Sequence, residues 1–251
     1  MDIADVPPAR LASVARAAIA VRRPDIIASI RHFLESGTHE LSAVVIGETW
    51  LALQERDRAI AWANAAAEAM ESRDTAIRRA RLEWSLQRKV QAQAILRTTL
   101  RAGDTPMERA EPIALEHLDE VSRLAIEFGL VSDASRFLSR LREARPSPEV
   151  DRAWARVIAL SQPNAFCAWL MSQKRGTIST VFLREIIFLA ADRKVYDVAL
   201  KAAARLSVER GSDSDRMLLA ELQTIVGVPW VRPPNPAVET QAASRSAPLL
   251  R

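Results

Sequence analysis

The sequence predicts an all-α protein, an α-α superhelix of about six stacked helical hairpins plus a terminal helix. Three observations carry that expectation. Ala, Leu, Arg, Glu and Gln, the strongest helix formers, dominate the composition, while Gly is scarce at 7 and Tyr occurs once. Runs of β-branched residues are few, so strands have little to build on. Small residues recur: Ala59, Ala92, Ala134, Ala165 and Ala199 are spaced 33, 42, 31 and 34 residues apart, a period that marks helix-turn-helix arrays.

Taken in order, residues 1–7 form an N-terminal extension, and Pro8 stands at a first helical turn, where its missing N–H does no harm. A helix follows to about 21. The next runs from Pro24 to 36, stopped by Gly37. The clearest pair lies in VVIGETWLALQERDRAIAWANAAA, residues 44–66, within helices over 40–55 and 58–72 turning near 54–57. Gly47, Ala59, Ala63 and Ala66 let its backbones approach, and Ile46 and Trp50 fill the space beside them. Residues 74–88 and 90–102 make the third pair, closed by Gly103 and Asp104. A longer loop with Pro106 and Pro112 accounts for the one wide spacing. The fourth pair, 113–128 and 132–144, turns at Gly129 and stops at Pro146. The fifth spans 148–160 and 164–173, the sixth 179–191 and 196–209, and a last helix covers 213–226. The segment 227–251 is rich in Pro, Ser and Ala without apolar periodicity and reads as a disordered tail. Its Pro233-Pro234-Asn235-Pro236 has the spacing of a polyproline II ligand.

These residues resemble the tetratricopeptide repeat. Ile46, Gly47, Trp50, Ala59 and Ala66 match its pattern, as do Gly129, Ala134, Leu138, Leu141 and Pro146, and Tyr196, Ala199, Ala203 and Leu206. Ser122 and Ile187 depart from it where a small first-helix residue is expected. The resemblance covers residues 8–226 and implies a right-handed solenoid that binds through an inner surface lined by the first helix of each pair. It implies a non-catalytic scaffold or adaptor holding a peptide or partner domain. Ala- and Arg-rich stretches such as FLREIIFLAADRKVYDVALKAAARLS are also loosely similar to the helical repeats of bacterial exopolysaccharide-export proteins, a first alternative.

The chemistry-bearing residues support no enzyme. His32, His39 and His117 have no ligand partners at metal-binding spacing, and no phosphate-cradling glycine loop occurs. Cys167, among Phe166, Trp169 and Leu170, reads as a buried thiol. No cofactor or metal is expected. With one Cys, no signal peptide and no apolar run of roughly 18–20 residues, the expected compartment is the cytoplasm, or the periplasm for a piece of a longer exported chain.

Charge is more informative in its distribution than in its net value of +4. Arg73, Arg78, Arg79, Arg81, Arg88, Lys89, Arg97 and Arg101 form a basic hairpin, followed by Glu108, Glu111, Glu116, Asp119, Glu120 and Glu127. Adjacent helices of opposite charge can pair, each exposed pair contributing about 0.2–1 kcal/mol. Alternatively the basic hairpin meets an acidic ligand or RNA, a second alternative short of stacking aromatics, since only Trp84 lies within it. Glu48, Arg81, Trp84, Glu116, Asp119, Arg123, Trp154 and Phe188 are the groove candidates on the first helices. Trp154 and Phe188 fit either peptide anchors or packing between repeats.

Overall fold

The computed structural model describes residues 3–37, 39–68, 72–101, 117–210 and 212–227. Expectations for the loop around Pro106 and Pro112, for Glu116 and for the segment after Gly227 lie outside them. Among the described residues the regular structure is all helical, with no strand.

The chain divides into two compact units, Met1–Ser161 and Gln162–Arg251. Among the described residues the first holds a 3-10 turn at Ile3–Asp5 and nine helices: α1 (Pro8–Ala20), α2 (Pro24–Ser36), α3 (Ala43–Ala52), α4 (Arg56–Glu68), α5 (Arg73–Ser85), α6 (Lys89–Arg101), α7 (Leu118–Glu127), α8 (Val131–Ala144) and α9 (Pro148–Ser161). The second holds α10 (Pro163–Ser172), α11 (Thr180–Asp192), α12 (Tyr196–Arg210) and α13 (Asp213–Val226). Neighbouring helices pack: α3 on α4, α5 on α6, α8 on α9, α11 on α12, α12 on α13. First helices also pack on first helices, α1 on α3, α3 on α5 and α7 on α9, while α6 packs on α8 and α10 on α12. This is an all-α helical repeat fold.

One turn recurs within the hairpins. Arg22, Gln54, Gln87, Gly129 and Lys194 all have left-handed backbone, with φ between 53° and 74°. In each case the amide of that residue donates to the carbonyl three residues back. The next amide donates five residues back, as in Glu55 to Trp50, Arg88 to Glu83, Leu130 to Ala125 and Val195 to Ala190. These two bonds cap the last carbonyls of the first helix. The carbonyl of the residue after the left-handed one then accepts the opening bond of the second helix, from Ile27, Ala59, Ala92, Ala134 or Ala199. Four of the five alanines that mark the period in sequence therefore occupy one structural position, and all four are fully buried.

First helices start differently. The Ser42, Ser72, Ser147, Ser179 and Ser212 hydroxyls accept from the amides of Val45, Thr75, Val150, Phe182 and Asp215, which satisfies donors that helix starts leave unpaired. The expected helix over 40–55 is thus trimmed to Ala43–Ala52, by the Ser42 cap at one end and the Gln54 turn at the other.

Gly47 behaves as its spacing predicts. A Cβ there would meet Leu82 Cδ2 at 2.8 Å and Trp62 Cβ at 3.4 Å, so α3 touches α4 and α5 at a point with no room for a side chain. The same turn-relative position holds Ala15, Ala80, Ser122 and Ile187, all buried. Ile187 shows that the second unit tolerates a large residue where the first uses small ones.

Candidate functional site

The first-helix face can be placed on the shared turn. Counting six residues back from each left-handed position gives Arg16, Glu48, Arg81, Arg123 and Phe188, which puts four of the groove candidates at one repeat position. Arg16, Arg81, Arg123 and Phe188 are exposed and Glu48 is half-buried.

In the first unit this row is cross-linked by ion pairs. Arg78 of α5 pairs with Glu48 of α3. Glu120 of α7 lies 3.1 Å from Arg81 of α5. Arg78 and Glu120 both sit nine residues before their turns, so one geometric contact is used twice with the sign of the charges reversed. The opposite-charge helices foreseen from the sequence do pair. His117, just before α7, also stands 3.9 Å from Asp74 of α5.

Asp119 of α7 is a junction. One carboxylate oxygen is 2.7 Å from Arg156 of α9 and the other 3.3 Å from Arg123 on its own helix. Arg156 donates to Ser122 Oγ at 2.7 Å as well, and its side chain is only 2% exposed. A guanidinium this deeply buried requires such partners. Arg156 stands outside the sequence-based candidates, although a lone charge inside the apolar run Ala153–Ala159 is its visible signal.

The remaining candidates divide. Trp84 is half-buried and stacked on Phe128 at 4.2 Å, with the Lys89 ammonium 5.3 Å from its ring. Trp154 is buried; its indole N–H donates to Ser139 Oγ at 3.0 Å, and the Arg142 guanidinium lies 4.1 Å from its ring. Phe188 on α11 is 64% exposed. Glu116 lies outside the described residues.

Most of the basic hairpin is engaged inside the first unit. Arg97 and Arg101 share the Asp133 carboxylate at 3.3 and 3.5 Å. Arg79 donates to the Ala66 carbonyl at 3.2 Å, and Arg88 reaches Asn64 at 2.8 Å and Glu83 at 3.1 Å. Glu83 is the odd member of its row: Ala18, Trp50, Ala125 and Ala190 occupy the equivalent buried position. Burial pushes its carboxyl above the ordinary glutamate value, and Arg88 and Arg79 oppose that rise.

Two further clamps tie successive repeats through backbone acceptors. Arg56 of α4 donates to the Leu86 carbonyl at 2.7 Å, and Gln93 of α6 to the Phe128 carbonyl at 2.8 Å. Both acceptors immediately precede a left-handed residue, so each second helix grips the next turn. An open hollow lined by Ile19, Pro24, Ile27, Ala28, Arg31, His32 and Glu35 lies between α1 and α2. Its rim is held to the turn before α4 by Arg31–Glu55 and to α4 by Arg58–Glu35.

Among the described residues no three His, Cys, Asp or Glu side chains cluster as a metal site, and no helix is long and apolar enough to cross a membrane. Cys167 is buried. No protein-family model matches the chain, and no curated protein matches it.

Proposed function

We propose that this protein is a non-catalytic interaction scaffold of the tetratricopeptide type, holding a peptide or partner domain against its first helices. The observation that supports this reading is the common turn. It sets five first helices in one register, so that Arg16, Glu48, Arg81, Arg123 and Phe188 occupy equivalent positions with unlike side chains. A frame of constant backbone with variable residues suits recognition by several weak contacts. Arg and aromatic residues, the types that dominate interface energetics, fill four of the five positions.

The choice of test residues follows from the packing. Phe188 and Arg123 are exposed, so Phe188→Ala and Arg123→Ala leave the core intact. A tagged chain used as bait, followed by mass spectrometry at low and high salt, should retain a protein partner at both salts. Phe188→Ala is expected to weaken that retention about tenfold, as loss of an aromatic anchor does, with an unchanged circular dichroism spectrum. Retention of nucleic acid alone, lost at high salt, would replace this reading with the RNA-binding one.

A further inference from the structure

We propose that the second helices α6 and α8 together carry a phosphate-binding site that takes a phosphorylated side chain of a partner protein. Its centre is Asp133, in the first turn of α8. Arg97 Nε and Arg101 Nη2 of α6 lie 3.3 and 3.5 Å from its two carboxylate oxygens, and α6 packs on α8. Arg136 follows Asp133 by three residues, a spacing that puts both on one helix face, about 5–6 Å apart at Cβ. It is exposed and has no ion-pair partner among the described residues. Arg140, one turn further along that stripe, bends back so that its Nε donates to the Arg136 carbonyl at 3.4 Å. Direct contacts and helix geometry thus gather four guanidinium groups about one carboxylate.

The exposure of the partners selects the ligand. Asp119 also serves two arginines, but one of them, Arg156, is buried. At Asp133 the carboxylate is the sheltered member, 18% exposed, whereas Arg97 and Arg101 are 43% and 59% exposed. The acid steadies two guanidinium forks whose outer edges meet water. Such a fork matches phosphate oxygens two at a time, and a phosphoserine brings close to two charges and three acceptor oxygens. Exposed ion pairs hold weakly, so Arg97 and Arg101 can turn to a dianion without opening a buried contact. A nucleic-acid strand is the poorer match, because it is held by a basic groove with aromatic platforms for its bases. The one aromatic on α8, Phe137, is buried.

The site lies on second helices, so its test is separate from the first-helix reading. The full chain, labelled with nitrogen-15 in its arginine side chains, is titrated by NMR at low salt with a capped pentapeptide holding one phosphoserine among alanines. The controls are the same peptide with serine or glutamate in that place, and an oligouridylate. The phosphopeptide should shift the Nε–H signals of Arg97, Arg101 and Arg136. Its affinity should fall about tenfold in Arg101→Gln/Arg136→Gln, which loses two charged donors. In Arg101→Lys, which keeps the charge without the fork, the fall should be about threefold. Arg123→Ala and Phe188→Ala should leave it unchanged. Unmoved signals, equal binding of the serine or glutamate peptide, undiminished affinity in Arg101→Gln/Arg136→Gln, or tighter binding of the oligouridylate to the same arginines would each overturn the proposal.

Discussion

Trp154→Ala is expected to lower the unfolding free energy by about 4 kcal/mol, within the range for removing a buried Trp. The ring is 9% exposed and fills space between α8 and α9. Truncation leaves a cavity, abandons the hydrogen bond to Ser139, and strips the Arg142 guanidinium of the ring 4.1 Å away. Arg142 retains Asp151 at 2.6 Å, so the loss is mainly one of packing. Urea unfolding followed by helical circular dichroism measures it. A change below about 1 kcal/mol, the scale of surface substitutions, would mean that Trp154 stands free of the core and belongs among the binding candidates.

Asp119→Ala is expected to cost about 3 kcal/mol, at the lower end for breaking a buried pair because the Asp119 side chain is itself 43% exposed. Removing the carboxylate takes the ion pair with Asp119 away from a guanidinium that stays buried. The converse change is milder. Arg156→Met removes the buried charge, fills similar volume, and leaves Asp119 solvated and paired with Arg123. That variant should lie within about 1.5 kcal/mol of the wild type, as volume-conserving replacements do. Equal losses in the two variants, measured by the same urea titration, would contradict this asymmetry.

Helix positions were legible in the sequence because small residues repeat at the period of the hairpin, whereas the serine caps were not read from it. Gly47 and the aligned alanines carried that signal; Gly47 is buried, Ala59, Ala92, Ala134 and Ala199 are buried at equivalent places in their hairpins, and Ala165 is only half-buried. The turn itself was not legible. Gly129 is the one glycine among the five left-handed positions of this turn, the others being Arg22, Gln54, Gln87 and Lys194. These four are ordinary polar residues, forced into a strained conformation by the carbonyls they cap rather than by any preference of their own. Nor could the fate of the charges be read. Glu48, Arg81 and Asp119 stand at exposed-looking positions on amphipathic helices, yet each is met by a partner from the neighbouring helix, and that meeting depends on a register that only three-dimensional stacking supplies. Trp154 and Phe188 were alike in sequence, both aromatics on first helices. The structure buries one and exposes the other: Trp154 faces Ser139 and Arg142 of α8, whereas Phe188 is 64% exposed on α11.

Urea unfolding of the Gln54→Gly/Gln87→Gly/Lys194→Gly variant tests directly whether hairpins in both units close with one and the same left-handed turn. Glycine relieves the clash that a side chain suffers there, so stability should rise by about 0.5–1 kcal/mol per site after the entropy of the more flexible unfolded chain is subtracted. A fall of about 1 kcal/mol per site, the penalty for glycine in a helix interior, would contradict it.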